Sequence, residues 1–170
     1  MCSITAILNA TESTDKVRSR ALEISKLQRH RGPDWSGVYQ QEGNILVHER
    51  LAIVDVTSGS QPLIDQDHQT ALAVNGEIYN HQSIRKATSN YPYQTGSDCE
   101  VILALYREKG ADLVHDLEGM FAFVLFDPQD KSWIIARDSI GIIPLYFGHD
   151  KNGALLVASE MKGIEHLCED

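Results

Sequence analysis

Short apolar runs bounded by turn residues dominate the chain, and only two stretches show the three-and-four spacing of a helix. Residues 3–8 form the first run and predict a strand, so Cys2 stands at the beginning of a buried element. Val17, Ala21, Ile24 and Leu27 keep helical spacing behind Ser13 or Thr14, either of which can cap a helix. That helix has to stop before Gly32 and Pro33, which both disfavour its continuation.

Strands are then predicted over 37–39, 45–47 and 51–54, separated by the turn-forming Gly43-Asn44 and by the charged triplet His48-Glu49-Arg50. Residues 71–74 and 78–79 flank Asn75-Gly76, the strongest short hairpin signal in the chain. A second helix is expected over 98–109, capped by Ser97 or Asp98, with Val101, Ile102 and Leu105 on one face and Gly110 at its end. Further strands are predicted over 120–126, 133–136, 144–147 and 155–158, with a short helical start at Glu160. The strands cluster in antiparallel runs around two main helices, without regular strand-helix-strand alternation. This favours an α+β layered domain over a doubly wound parallel sheet. Neither GxGxxG nor GxxxxGK[ST] occurs, so no familiar loop cradles a nucleotide phosphate.

Composition narrows the function classes. A length of 170 residues suits one domain that needs no staples. The net charge of -9 argues against a nucleic-acid or anionic-membrane surface, and the densest basic stretch, Arg29 to Arg31, reads as a solvated loop. No apolar run approaches the roughly 18 residues of a membrane span, and no secretion signal opens the chain, so a cytoplasmic location is expected. The three cysteines, at positions 2, 99 and 168, have neither CxxC nor metal-ligand spacing. The seven histidines are scattered too, so neither a disulfide framework nor a zinc site is expected.

Cys2 is the residue whose position suggests chemistry. A cysteine near a terminus is by itself more often a small core residue. However, a small side chain at position 2 generally permits removal of Met1, which would leave the thiol and a free α-amine on one residue. An ordinary thiol titrates near about 8.5 and an α-amine near about 7.7 to 8.0, so the amine can accept the thiol proton and no separate histidine is needed.

Nine blocks carry a resemblance across essentially the whole chain: MCSI, RHRGPD, HERLAIVD, GSQP, NGEIYN, TGSDCEV, LEGMFAF, RDSIGIIPLY and SEMKGI. In this order they resemble the N-terminal glutaminase domain of glutamine-dependent asparagine synthetases. Those are class II glutamine amidotransferases of the N-terminal-nucleophile hydrolase fold. The resemblance implies a four-layer αββα sandwich, with two mainly antiparallel sheets between helices, as a single domain over 1–170.

It also implies roles. Cys2 would be the nucleophile, and Asn75 and Gly76 would form the oxyanion hole, although an ordinary hairpin turn is the competing reading of that dipeptide. Arg50 would grip the substrate α-carboxylate, and Glu77 and Asp98 its α-ammonium, with helix capping as the rival role for Asp98. Leu51, Ile53 and Val54 would supply backbone groups and a wall of the glutamine pocket. Arg31, Gly32, Asp34 and the Arg137-Asp138 pair are read as loop-shaping and packing residues. Thr5 and Ala6 depart from the family opening, which usually has Gly after one variable residue, so a methyl group here could reshape the pocket.

The expected reaction is hydrolysis of L-glutamine to glutamate and ammonia through a Cys2 γ-glutamyl thioester. No cofactor is expected in this domain. ATP and Mg belong to a synthetase domain expected to be absent here, since no SGGxDS-type loop occurs. Candidate protein partners are a synthetase domain or subunit and a second copy of the chain. Two alternatives stand beside the glutaminase: a catalytically silent glutamine-binding or regulatory remnant acting through a partner, and an N-terminal-nucleophile amidase for a different amide.

Overall fold

The computed structural model describes residues 1–51 and 60–169. Among the described residues nine strands form two sheets: β1 Ser3–Leu8, β2 Trp35–Gln41, β3 Asn44–Arg50, β4 Leu63–Ile64, β5 Ala71–Ile78, β6 Gly119–Asp127, β7 Ser132–Arg137, β8 Tyr146–His149 and β9 Leu155–Ala158. One sheet runs β2-β3-β1-β9-β8 and the other β4-β5-β6-β7. Every pairing in both is antiparallel. The helices are α1 Thr14–Leu27, α2 His81–Ala87 and α3 Val101–Lys109.

The layer order follows from which side of each strand is apolar. Ile7, Ile45, Val47, Leu156 and Ala158 pack on Val17, Ala21 and Ile24 of α1. Leu72, Val74, Phe121, Phe123 and Leu125 pack on Ile84 of α2 and on Val101, Ile102 and Leu105 of α3. The alternate residues Ile4, Ala6, Leu8, Leu46, Ala71, Ala73, Val124 and Phe126 meet one another between the sheets. Because successive strand residues face opposite ways, each central strand feeds two cores. The result is the expected helix-sheet-sheet-helix sandwich. No helix among the described residues is long and apolar enough to cross a membrane.

Several local expectations are corrected. Asn75-Gly76 is no turn: β5 runs straight through it, paired with β6 from Ala71↔Phe126 to Ile78↔Gly119. A type I′ turn needs positive φ at both central residues, and only Gly76 has it, at φ 137. His48, Glu49 and Arg50 do not separate strands but finish β3, because β1 and β2 flank them on both sides. In the second helix, residues 98–100 form a 3₁₀ turn before α3, and Ser97 is its cap, accepting from the Cys99 N–H at 3.3 Å. Ser13 occupies the cap position of α1 without a side-chain hydrogen bond, and Leu27 is 47% exposed, outside the apolar face. Helix α2 and the short β4 were not expected, being too brief for a periodicity signal. The predicted strand over 51–54 lies outside the described residues except for Leu51, which is in neither helix nor strand.

Candidate active site

The two-residue period of four strands assembles one cleft. Continuing the inter-sheet side of β1 backwards from Ile4 reaches Cys2, and continuing that of β3 forward from Leu46 reaches His48 and Arg50. The same side of β5 leads from Ala71 and Ala73 to Asn75, and that of β6 from Phe126 and Val124 back to Met120. These strands end together, and Cys2, Arg50, Asn75 and Met120 line a single opening with Leu51, Gly76, Glu77 and Asp98. Six predicted site residues therefore meet Cys2 in one place; Ile53 and Val54 lie outside the described residues.

Cys2 is held from both sides. Its Sγ accepts from the Leu51 N–H at 3.4 Å and lies 3.7 Å from the Leu51 carbonyl oxygen. Its own carbonyl accepts from Arg31 Nε at 3.0 Å, and Arg31 in turn reaches Glu160 at 3.2 Å. Burial alone would raise the Glu160 pKa, yet hydrogen bonds from Lys162, Arg31 and His30 bring it down to about 2. That carboxylate is thus a lasting anchor for Arg31. Met1 also lines the cleft, and in this form the Cys2 nitrogen is a peptide amide.

In the same cleft, Asn75 is 2% exposed and its Nδ2 has no hydrogen-bond partner among the described residues. A buried amide donor left unsatisfied costs about 1–3 kcal/mol, so it is a feature that asks for a ligand. Gly76 cannot be replaced without disruption, because a Cβ would sit 2.0 Å from the Met120 carbonyl oxygen. On the same edge of β5, the Ile78 N–H donates to Asp98 Oδ2 at 2.7 Å. This fixes the Asp98 carboxylate at the rim and explains why it is not the helix cap.

Among the described side chains, the cleft carries one cation, Arg50, which is 9% exposed, and two anions, the exposed Glu77 and the half-buried Asp98. A zwitterion with a carboxylate and an ammonium on one carbon matches that set. Cys99 lines the cleft too, with its Sγ 3.8 Å from the Gly76 carbonyl oxygen. Burial, then the neighbouring Asp98, push the Cys99 thiol well above its ordinary value, so it stays protonated while Cys2 is the accessible sulfur.

Sequence reasoning undervalued three neighbours. Arg31, read as loop-shaping, contacts Cys2 itself, while Gln61 and Met120 line the cleft unforeseen. For Gln61 the only signal was its place in the GSQP block. The loop-shaping reading holds for Asp138, whose carboxylate accepts from the N–H groups of Ile140, Ile142 and Ile143 at 3.2, 3.0 and 3.3 Å, and it presents Ile143 to the cleft. Gly32 packs so closely that a Cβ would lie 2.2 Å from the Glu49 carbonyl oxygen. Thr5 and Ala6 do not line the cleft: Thr5 faces α1 and accepts from Gln28 Nε2 at 2.8 Å, and Ala6 is in the inter-sheet core.

Comparison with known proteins agrees with this geometry. A family model described as a glutamine amidotransferase domain matches residues 1–169. The chain is 55% identical over 169 residues to asparagine synthetase B (glutamine-hydrolysing) of Escherichia coli K12, covering 99% of this chain and 30% of that protein. It is 52% identical over 171 residues to a probable glutamine-hydrolysing asparagine synthetase of Dictyostelium discoideum, covering 99% of this chain and 31% of that protein. The chain thus spans about three-tenths of the length of these relatives. Among solved structures, glutamine phosphoribosylpyrophosphate amidotransferase of Bacillus subtilis shares the fold at TM-score 0.76 and 21% identity, over 96% of this chain and 43% of that one. A cysteine at the head of an antiparallel sandwich, facing a buried amide donor and an Arg-carboxylate set, thereby joins a family match over nearly every residue: the chain belongs to the glutamine amidotransferase domain family.

Proposed function

We propose that this chain hydrolyses L-glutamine to glutamate and ammonia through a γ-glutamyl thioester on Cys2, and that the ammonia serves asparagine formation by a synthetase domain or subunit. The carrying observation is the buried, unpartnered Asn75 Nδ2 in the same cleft as the Cys2 sulfur and the Arg50, Glu77 and Asp98 charges. Removal of Met1 frees the Cys2 amine, which takes the thiol proton. The thiolate attacks the side-chain amide carbon, forming the S–C bond, and the carbonyl π electrons move to oxygen. Asn75 Nδ2 and the Gly76 N–H receive that oxyanion. The amine returns its proton to nitrogen, the C–N bond breaks and ammonia leaves. Water then attacks the thioester, the same amine takes its proton, and glutamate departs as the S–C bond breaks.

Arg50 binds the substrate carboxylate through paired hydrogen bonds, and Glu77 and Asp98 bind its ammonium. The relatives' names, glutamine-hydrolysing asparagine synthetases, support both the substrate and the destination of the ammonia. The test pairs intact mass with glutamate release. Processed protein lacking Met1 is expected to release glutamate, and Cys2→Ala to lose at least ~1000-fold in rate, the scale on which removing a covalent nucleophile acts. Undiminished turnover by C2A, or none by the processed chain, would overturn the proposal.

A further inference from the structure

Among the described residues, one edge of β5 loses its partner strand just before the site. β4 pairs with it only through Leu63↔Leu72 and Ile64↔Ala71, so from Val74 onward the polar groups on that edge need other partners. Two side chains grip Val74. Gln61 Oε1 accepts from the Val74 N–H at 2.7 Å, and His48 Nε2 lies 2.9 Å from the Val74 carbonyl oxygen. A carbonyl oxygen can only accept, so the His48 proton sits on Nε2. His48 is on β3, in the opposite sheet, and it reaches across the layer between them.

The Val74 carbonyl and the Asn75 N–H share one planar peptide unit, so fixing that oxygen fixes the plane from which Asn75 hangs. Asn75 needs such help because no acceptor among the described residues holds its Nδ2. His48 itself is fully buried and, among the described residues, its Nδ1 has no partner, so its hydrogen bond to Val74 comes with an unsatisfied atom that an apolar residue would avoid. We infer that His48 and Gln61 are positioning residues, clamping Val74 from two sides so that the Asn75 amide faces the oxygen that becomes charged during attack by Cys2. The inference rests on the glutaminase reading of the site.

The test uses the full chain after Met1 removal and the γ-aldehyde analogue of glutamine. The Cys2 thiol adds to this aldehyde: the S–C bond forms, the C=O becomes C–O, and the thiol proton ends on that oxygen. The adduct therefore reports the oxyanion site. Glutamine affinity, measured by calorimetry in a Cys2→Ala background, reports ground-state binding alone. His48→Met and Gln61→Leu, each removing one grip, are expected to weaken the aldehyde about tenfold or more while changing glutamine affinity by less than about twofold. His48→Gln, which restores an N–H donor, and Gln61→Glu, which retains an acceptor, should recover most of the loss. Equal loss of both ligands, no loss, or no recovery in the conservative variants would overturn the role. If H48M fails to fold, the Gln61 pair carries the test. An inert parent chain sinks the glutaminase reading and this proposal with it; an active parent with unaffected variants sinks only the proposal.

Discussion

The layer between the two sheets has two ends built from the same strands on the same side, yet they behave as opposites. At one end Leu8 of β1, Leu46 of β3, Ala71 of β5 and Phe126 of β6 close into an apolar plug. At the other, Cys2, Arg50, Asn75 and Met120, at the far ends of these strands, leave a cleft. The strand period is common to both ends, so it cannot explain the difference. What differs is that the first end buries apolar groups that need no partner, whereas the second places a buried amide donor, Asn75 Nδ2, that has no partner among the described residues. The plug buries apolar side chains, and the cleft keeps the Asn75 Nδ2 donor without a partner among the described residues.

Four measurements would break or sharpen that contrast. The largest effect is expected at the plug: Phe126→Ala should lower stability by about 3–5 kcal/mol in denaturant unfolding, while turnover per folded molecule stays near that of the parent. Next, Asn75→Ala in the cleft should cut kcat by about 100- to 1000-fold, with little change in KM and no loss of stability, since its Nδ2 has no partner to lose. A matching drop in stability for N75A would erase the distinction between the two ends.

The third effect comes from His48, halfway along the layer. Burial, and secondarily the nearby Arg50, lower its pKa from 6.5 to about 4 despite the hydrogen bond to Val74. As pH falls below 6.5 the unfolded chain takes up a proton that the folded chain refuses, so stability declines until about pH 4. The total is about 3 kcal/mol. Glu160, lowered from 4.5 to about 2, acts in a separate window, losing its contribution as pH falls from 4.5 through 2. Stability measured between pH 6.5 and 4.5 should therefore slope in the parent and be flatter in H48Q. The smallest effect is at Thr5, on the α1 side of β1. Thr5→Val leaves the buried Gln28 Nε2 without its acceptor and should cost about 1–2 kcal/mol in thermal or denaturant unfolding, with kcat unchanged.

Much of this molecule was legible beforehand because its signals are local. The spacing of Val17, Ala21 and Ile24 marks α1, and the apolar run of residues 120–126 marks β6. The blocks around Cys2, Arg50, Asn75 and Asp98 marked the site, and the cleft brings those residues together. The misread segments are those where a local preference lost to pairing at a distance. Asn75-Gly76 favours a turn, but eight register pairs with β6 keep it extended. The charges of His48, Glu49 and Arg50 suggest a break, but β1 and β2 supply their backbone partners, and the buried Glu49 is met by Ser25 of α1 at 2.6 Å.

By itself the amino-acid sequence determined the α+β class, the apolar sides of the strands, and a cysteine at the head of the first strand, because strand period, helical spacing and residue chemistry act over a few neighbours. Only the tertiary structure decided that Arg31 holds the Cys2 carbonyl, that Asp98 serves the β5 edge instead of capping a helix, and that His48 and Gln61 meet at Val74. Each of those contacts satisfies a buried polar group with a side chain distant in sequence. Which distant side chain arrives is settled by how the sheets stack and where β4 ends, and no local pattern encodes that.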